Sequence, residues 1–317
     1  MEIRELQKRF ETADPNFGPL PFWWWSGEEV TAERIRWQLQ KFREGGIRNI
    51  GIINIAPTGP QYGSDGDRPA LFSEAWWTMF GVAVREAERL GMRIYFYDQI
   101  GFSGSNFPAR IVAEYPDCAG YALRRMLKGE PLPDGAAVLL ETDKYTYVQV
   151  RQGFNWLDPS ATARLLDKVH GEFERRFFND LGKAIAGSFQ DERPPMPLWS
   201  AELPELYRQK YNEDIVPKLP QLFDGLPDSA EVRRNVYELA AEMAERSFFM
   251  PISKWHDRHG MILCSDQAGP ARRVEVHGAQ RLYLDYFRTH RWYNAAGCDM
   301  DGEIKAHSSM AHLHGGK

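Results

Sequence analysis

Cysteine is scarce in this chain. Only Cys118, Cys264 and Cys298 occur in 317 residues, and none belongs to a Cys-x-x-Cys pair. That argues against both a disulfide framework and a structural zinc site. A basic excess is also missing. Lys and Arg number 39 against 44 Asp and Glu, for a net charge of −5, and no basic patch dominates any segment, so a nucleic-acid partner is not expected. No run of about 18 apolar residues occurs, so no membrane-spanning helix is expected. The N-terminus, Met1-Glu-Ile-Arg-Glu-Leu-Gln-Lys8, lacks the apolar core of a secretory leader. A cytoplasmic enzyme is the simplest expectation, although a secreted chain trimmed of its leader would read the same way.

Aromatic residues, by contrast, are plentiful: 10 Trp, 13 Tyr and 18 Phe. Most belong in a core, yet an excess of Trp also suits sugar sites, where a ring face packs on the apolar face of a pyranose. The length allows two domains at roughly 150 residues each, or one barrel of about 250 residues or more.

The strongest pattern is a repeated unit of helix, glycine, short apolar strand and polar end. Thr31 caps a helix to Glu44, Gly45-Gly46 stops it, and Ile47–Asn54 follows as a buried strand. Ser73 caps the next, Gly91 ends it, and Met92–Asp98 is the strand. Asp158-Pro159 opens a third helix, Gly182 ends it, and Ala184–Phe189 is the strand. A fourth helix starts near Ser229, with a kink expected at Pro251, and Gly260 precedes the strand Met261–Cys264. Pro21–Trp25 reads as a first strand, and a sixth lies near Ala296-Gly-Cys298. Alternation of this kind predicts parallel βαβ units and an α/β fold, here a (β/α)8 TIM-type barrel spanning 1–317. Residues 106–153 break the rhythm after the third strand. They read as an inserted β-rich excursion with a hairpin at Ala136–Leu140 and Tyr145–Val150.

In a parallel barrel the active site gathers at the C-terminal ends of the strands. Those ends carry Asn54, Asp98, Asp191-Glu192 and Asp266. Single polar residues there also serve as helix caps, but four together, one of them a carboxylate pair, point to a site. Glycoside hydrolysis needs two carboxyl groups about the scissile bond, one protonating the leaving oxygen and one activating water or attacking the sugar. Glu192, beside Asp191 and walled by Phe189 and Trp199, has surroundings suited to the acid. Asp98, Asp266 and Glu303 are candidates for substrate contacts, not convincing second catalytic groups.

The same residues carry a family resemblance. Pro21-Phe-Trp-Trp-Trp-Ser26, Tyr97-Asp98-Gln99-Ile-Gly-Phe-Ser-Gly104, Phe154-Asn-Trp-Leu-Asp-Pro159, Phe189-Gln-Asp-Glu-Arg-Pro194 and Ser308-Ser-Met-Ala-His312 together resemble the catalytic domain of glycoside hydrolase family 106, the α-L-rhamnosidase family. The resemblance implies a (β/α)8 barrel, inverting hydrolysis of a carbohydrate, often a bound calcium, and Glu192 as general acid. Asp191, Asp98, Asn54, Trp24, Asp266 and His312 are then the expected substrate contacts. The chain has Asp98-Gln99 where the family often has Asp-Glu. It also reaches Lys317 before the position where the family's general base is expected. Six strands against the eight of a closed barrel agree with a truncated sequence.

Other signals weigh less. In the Trp23-Trp24-Trp25 run, two rings are expected at the mouth and one in the helix layer; core packing competes with a sugar platform. His307, His312 and His314 lack metal-ligand spacing and suit substrate contact or a frayed terminus. Asp65-Gly-Asp67 reads as a surface turn, and Gly101-Phe-Ser-Gly104 is not a dinucleotide fingerprint. Arg193, Arg272 and Arg273 are further candidates at a sugar mouth, the last two being more at home at a solvated helix start. The rival to a glycosidase is a sugar-binding barrel or accessory protein without catalysis. A barrel aldolase or metal-dependent hydrolase would need a strand-end Lys or His cluster, and neither is visible.

Overall fold

The structure, a computed structural model, describes residues 3–12, 18–102, 105–194, 196–266, 285–297 and 304–315. Arg272, Arg273, Cys298 and Glu303 lie outside the described residues. Among the described residues the strands are β1 (Phe22–Trp24), β2 (Asn49–Ile53), β3 (Arg93–Tyr97), β4 (Ala119–Leu127), β5 (Ala137–Glu141), β6 (Tyr145–Phe154), β7 (Ile185–Gln190), β8 (Ile262–Ser265) and β9 (Ala295–Ala296). The chain divides into two compact units. The first holds Met1–Asn106, His170–Asp191 and His256–Ser265; the second holds Phe107–Val169, Glu192–Trp255 and Asp266–Lys317. The sequence suggests one barrel domain with an excursion at 106–153; the second unit draws on three separated stretches instead.

The first unit is α/β with a parallel sheet in the order β1-β2-β3-β7-β8. Its helices start and stop where the sequence indicates. Thr31 accepts from the Arg34 amide at the head of Ala32–Glu44, and Ser73 accepts from the Trp76 amide at the head of Glu74–Leu90. Each cap satisfies an amide the helix itself cannot. Gly91 closes the second helix in the left-handed region, φ +63°, where a Cβ would be strained.

One face of this sheet meets the helices through aromatic rings. Trp25 packs on Trp76 and Phe80 at 5.8 and 6.5 Å, Trp23 on Phe42 at 6.0 Å, and Phe96 stacks on Phe173 at 3.8 Å. Ring pairs of this kind add about 0.5–1.5 kcal/mol each beyond the area they bury. Much of the aromatic excess is therefore core. Between β3 and β7 the register shifts after Ile94, so that Tyr95 pairs with Gly187. The Tyr95 ring fills the space a side chain at 187 would need: a Cβ there would lie 2.6 Å from the ring and 2.2 Å from the Ile262 carbonyl oxygen.

The second unit contains a three-stranded antiparallel sheet, β4-β6-β5. The hairpin of β5 and β6 falls where the sequence places it; β4, nine residues long, was not legible. Asp158 accepts from the Ser160 amide, with Pro159 as the first residue of the helix Pro159–Lys168. The helix Ser229–Ala244 passes through a π-helical turn, Glu245–Phe249, into Met250–Arg258. Pro251 lacks the amide that would bond one turn back, so the distortion sits just ahead of it. Helices at Phe107–Glu114 and Ile304–His314 were not anticipated.

Cys118 and Cys264 are buried free thiols. Burial pushes the Cys264 thiol up to about 12, which leaves it uncharged and inert. Among the described residues, no helix is long and apolar enough to cross a membrane.

Candidate active site

Strand alternation sorts the polar residues of the first unit onto two faces. The face away from the helices carries Phe22, Trp24, Tyr97, Phe189 and then Asp191. Phe22 meets Tyr97 and Phe189 edge-on at 5.8 and 4.8 Å, and Tyr97 lies over Phe189 at 6.1 Å. Ile53, Ile55 and Phe102 complete this cluster. The Tyr97 hydroxyl donates to Asp191 Oδ2 at 2.8 Å, and the Phe102 amide donates to the Asp191 carbonyl at 3.0 Å. Asp191 is thus held through both side chain and main chain at the end of β7.

The tryptophan run falls the other way from its expected split. Trp23 and Trp25 are buried against the helices, and Trp24 alone turns to the opposite face, 53% exposed. Alternation puts the odd-numbered pair together, and the helices Ala32–Glu44 and Glu74–Leu90 supply rings to receive it.

Asn54 and Asp98 face the helices and spend their polar atoms internally. Asn54 Nδ2 donates to the Trp25 carbonyl (3.2 Å) and to Asp67 Oδ2 (2.8 Å), while its Oδ1 accepts from Trp76 Nε1 (3.0 Å). Asp98 accepts from Gln190 Nε2 (2.8 Å) and from the Ile100 amide (3.0 Å). Both are fully buried, so either would have to break these bonds to reach a substrate. The parity of each strand explains this: one residue of shift turns a strand-end group from the mouth to the helix layer.

Asp67 is the residue that sequence reasoning underrated. It is no surface turn residue but a half-buried hub, accepting from Ser26 Oγ (2.6 Å), Asn54 Nδ2 (2.8 Å) and the Ala56 amide (3.2 Å). Burial raises its pKa above the ordinary carboxylate value, and the bonds from Ser26, Asn54 and Ala56 oppose that shift. Its partners lie 41, 13 and 11 residues away, so no local signal could have assembled them.

Glu192 opens a stretch of the second unit. It is half-buried and has φ +38°, a positive value that is uncommon outside glycine. Next to it, the buried Arg193 guanidinium lies 4.7 Å from Phe249, 5.4 Å from Phe248 and 5.6 Å from Trp156, attracted by the ring faces. Asp266, directly after β8, is half-buried. His312 sits on an exposed side of the helix Ile304–His314, whereas His307 of the same helix is buried with Nδ1 2.6 Å from the Tyr286 hydroxyl. Tyr286 stacks on His290 at 4.2 Å. Burial holds both histidines below their ordinary pKa, and the nearby Arg193 charge deepens the shift at His290; both rings are neutral near pH 7. The pairing of Tyr286 with His307 was also not legible, because the two stand 21 residues apart.

No family model matches the chain. A rhamnosidase from Novosphingobium sp. PP1Y superposes with a TM-score of 0.63 at 10% identity, over 91% of this chain and 49% of that one. A beta-galactosidase from the psychrophilic Marinomonas ef1 superposes with a TM-score of 0.52 at 10% identity, over 89% of this chain and 40% of that one. The fold is glycoside-hydrolase-like. In sequence, the chain is 28% identical over 111 residues to a protein named "Putative beta-glucuronidase" from Formosa agariphila, covering 34% of this chain and 9% of that protein. The chain spans about half the length of the rhamnosidase structure and less of the other two.

Among the described residues, no group of three or more His, Cys, Asp or Glu side chains could hold a metal ion.

Proposed function

We propose that this protein is a glycosidase of the α-L-rhamnosidase type, built on a (β/α)8 barrel, with Glu192 as its general acid. The observation that carries the reading is the carboxylate pair at the end of β7. Asp191 is braced by Tyr97, and Glu192 follows with its backbone at φ +38°. Strained backbone of this sort costs free energy and persists where function needs it. The glycoside-hydrolase-like fold supports the reading, because in parallel barrels strand ends of this polarity carry the chemistry.

In this scheme Glu192 protonates the glycosidic oxygen as the bond to the anomeric carbon breaks, and water, deprotonated by a second carboxylate, attacks that carbon from the opposite face, so that the configuration inverts. Asp191 and Trp24 contact the sugar, Trp24 by stacking its exposed ring on the apolar face of a pyranose. The test is hydrolysis of p-nitrophenyl glycosides by the full-length gene product. Release of nitrophenol from the α-L-rhamnoside, ahead of the β-D-galactoside and β-D-glucuronide, supports the assignment. Preference for either of the others replaces the sugar but keeps the reaction. Binding without turnover of any of the three points to a sugar-binding barrel instead.

A further inference from the structure

The loop after β2 places an aromatic ring in an unusual setting. Gln61 and Ser64 form a tight reciprocal pair: the Ser64 amide donates to the Gln61 carbonyl at 2.9 Å and the Gln61 amide to the Ser64 carbonyl at 3.1 Å. The two residues between them, Tyr62 and Gly63, have φ of +52° and +75°. Positive φ at both central positions marks a mirror-image turn, whose first central site strongly favours Gly, Asn or Asp. A tyrosine there is costly, because its Cβ crowds the backbone. The residue is nevertheless 61% exposed, so burial does not compensate. It lies over Phe102 with centroids 5.2 Å apart and planes at 30°.

Phe102 links this turn to the candidate site. It packs on the Ile53, Ile55 and Tyr97 cluster, and its amide bonds to the Asp191 carbonyl at 3.0 Å. The Asp67 hub ties the far end of the same loop to Asn54 and Ser26. A strained, exposed aromatic is therefore held on a braced loop, and its supporting residue Phe102 packs on the Tyr97 cluster with its ring and bonds the Asp191 carbonyl with its amide. An outlier of this kind motivates a functional hypothesis.

We propose that Tyr62, backed by Phe102, is the platform of a second sugar subsite, one that stacks on the pyranose next to the one cleaved. The proposal rests on the glycosidase reading above. The apolar face of a pyranose is a suitable occupant, since it offers a flat C–H surface to the ring while its hydroxyls remain in water.

The test is calorimetric titration of the full-length protein, carrying Glu192→Gln to prevent turnover, with methyl α-L-rhamnopyranoside and with an α-L-rhamnopyranosyl-(1→4)-D-glucose disaccharide. The disaccharide is expected to bind about 10-fold more tightly than the methyl glycoside, and Tyr62→Ala to remove that increment while leaving the methyl glycoside within about twofold. Tyr62→Asn, which suits positive φ and so preserves the turn, should show the same loss, and Tyr62→Phe should retain the increment. An increment that survives both Tyr62→Ala and Tyr62→Asn overturns the subsite and leaves the glycosidase reading standing. A disaccharide that binds no more tightly than the methyl glycoside also overturns the subsite alone, whereas failure of both sugars to bind any form overturns the rhamnoside reading and the subsite with it.

Discussion

Replacing Asp67 with alanine tests the hub that joins the loop after β2 to the sheet. Its carboxylate accepts three hydrogen bonds, from Ser26 Oγ, Asn54 Nδ2 and the Ala56 amide. Bonds to a charged acceptor contribute about 1.5–3 kcal/mol each. Here the sum is reduced, because the group is half-buried, water can replace part of what is lost, and removing a partly desolvated charge gives some free energy back. A net loss of about 2–3 kcal/mol is expected for Asp67→Ala, a fall in Tm on the order of 3–5 °C. Asp67→Asn keeps an oxygen toward Ser26 and Ala56 but turns an amide N–H toward Asn54 Nδ2, and should cost about 1 kcal/mol. The pH dependence has a definite sign. Because burial raises the folded pKa of Asp67, its contribution is full below the ordinary Asp value and declines as pH rises through the raised value. The penalty of Asp67→Ala should therefore be larger in acid than at neutral pH. Urea denaturation followed by tryptophan fluorescence, at several pH values from about 4 to 8, measures both effects. A penalty under about 0.5 kcal/mol, or one that grows with pH, refutes the reasoning.

Two further perturbations address the same unit. Gly187→Ala places a Cβ 2.2 Å from the Ile262 carbonyl oxygen and 2.6 Å from the Tyr95 ring; since a backbone atom cannot yield as a side chain does, a loss of about 3 kcal/mol or more in denaturant midpoint is expected, and a loss below about 1 kcal/mol would contradict the register of β7. His170 is fully buried beside Phe96 and His256, and burial, with the neighbouring His256 second, holds its pKa well below the ordinary value. A lowered folded pKa gives stability that is present above the unfolded histidine value of about 6.5 and is lost as pH falls below it; His170→Leu should flatten this acid limb in midpoint-against-pH curves, and an unchanged limb would assign it to another group.

The helix and strand pattern of the first unit was legible because its signals are local. Thr31, Ser73 and Gly91 cap and stop helices by chemistry confined to one turn, and the strands between them are short runs of buried residues. What a strand-end residue faces was not legible, because it depends on parity and register. Trp23, Trp24 and Trp25 have the same residue type and opposite fates, and the irregularity between Ile94 and Tyr95 has no mark in the sequence beyond Gly187 itself. The polar pairs were less legible still. Asp67 with Ser26, Asp98 with Gln190 and Tyr97 with Asp191 are separated by 41, 92 and 94 residues, and only the packed sheet brings each together. β4 was missed for a related reason: it pairs directly with β6, which lies beyond β5 in the chain, so its pairing is not that of a neighbouring hairpin strand.

The central claim is that Glu192 donates the proton to the leaving oxygen. Its most direct measurement is the leaving-group dependence of Glu192→Gln in the full-length protein. If Glu192 is the acid, the substitution should lower kcat by about 10²–10⁴-fold on a rhamnoside with a sugar leaving group, which needs protonation, and much less on a 2,4-dinitrophenyl α-L-rhamnoside, whose leaving group departs unprotonated. The basic limb of the pH–rate profile should disappear with it. Equal losses on both substrates, or no loss on either in a correctly folded variant, would contradict the assignment.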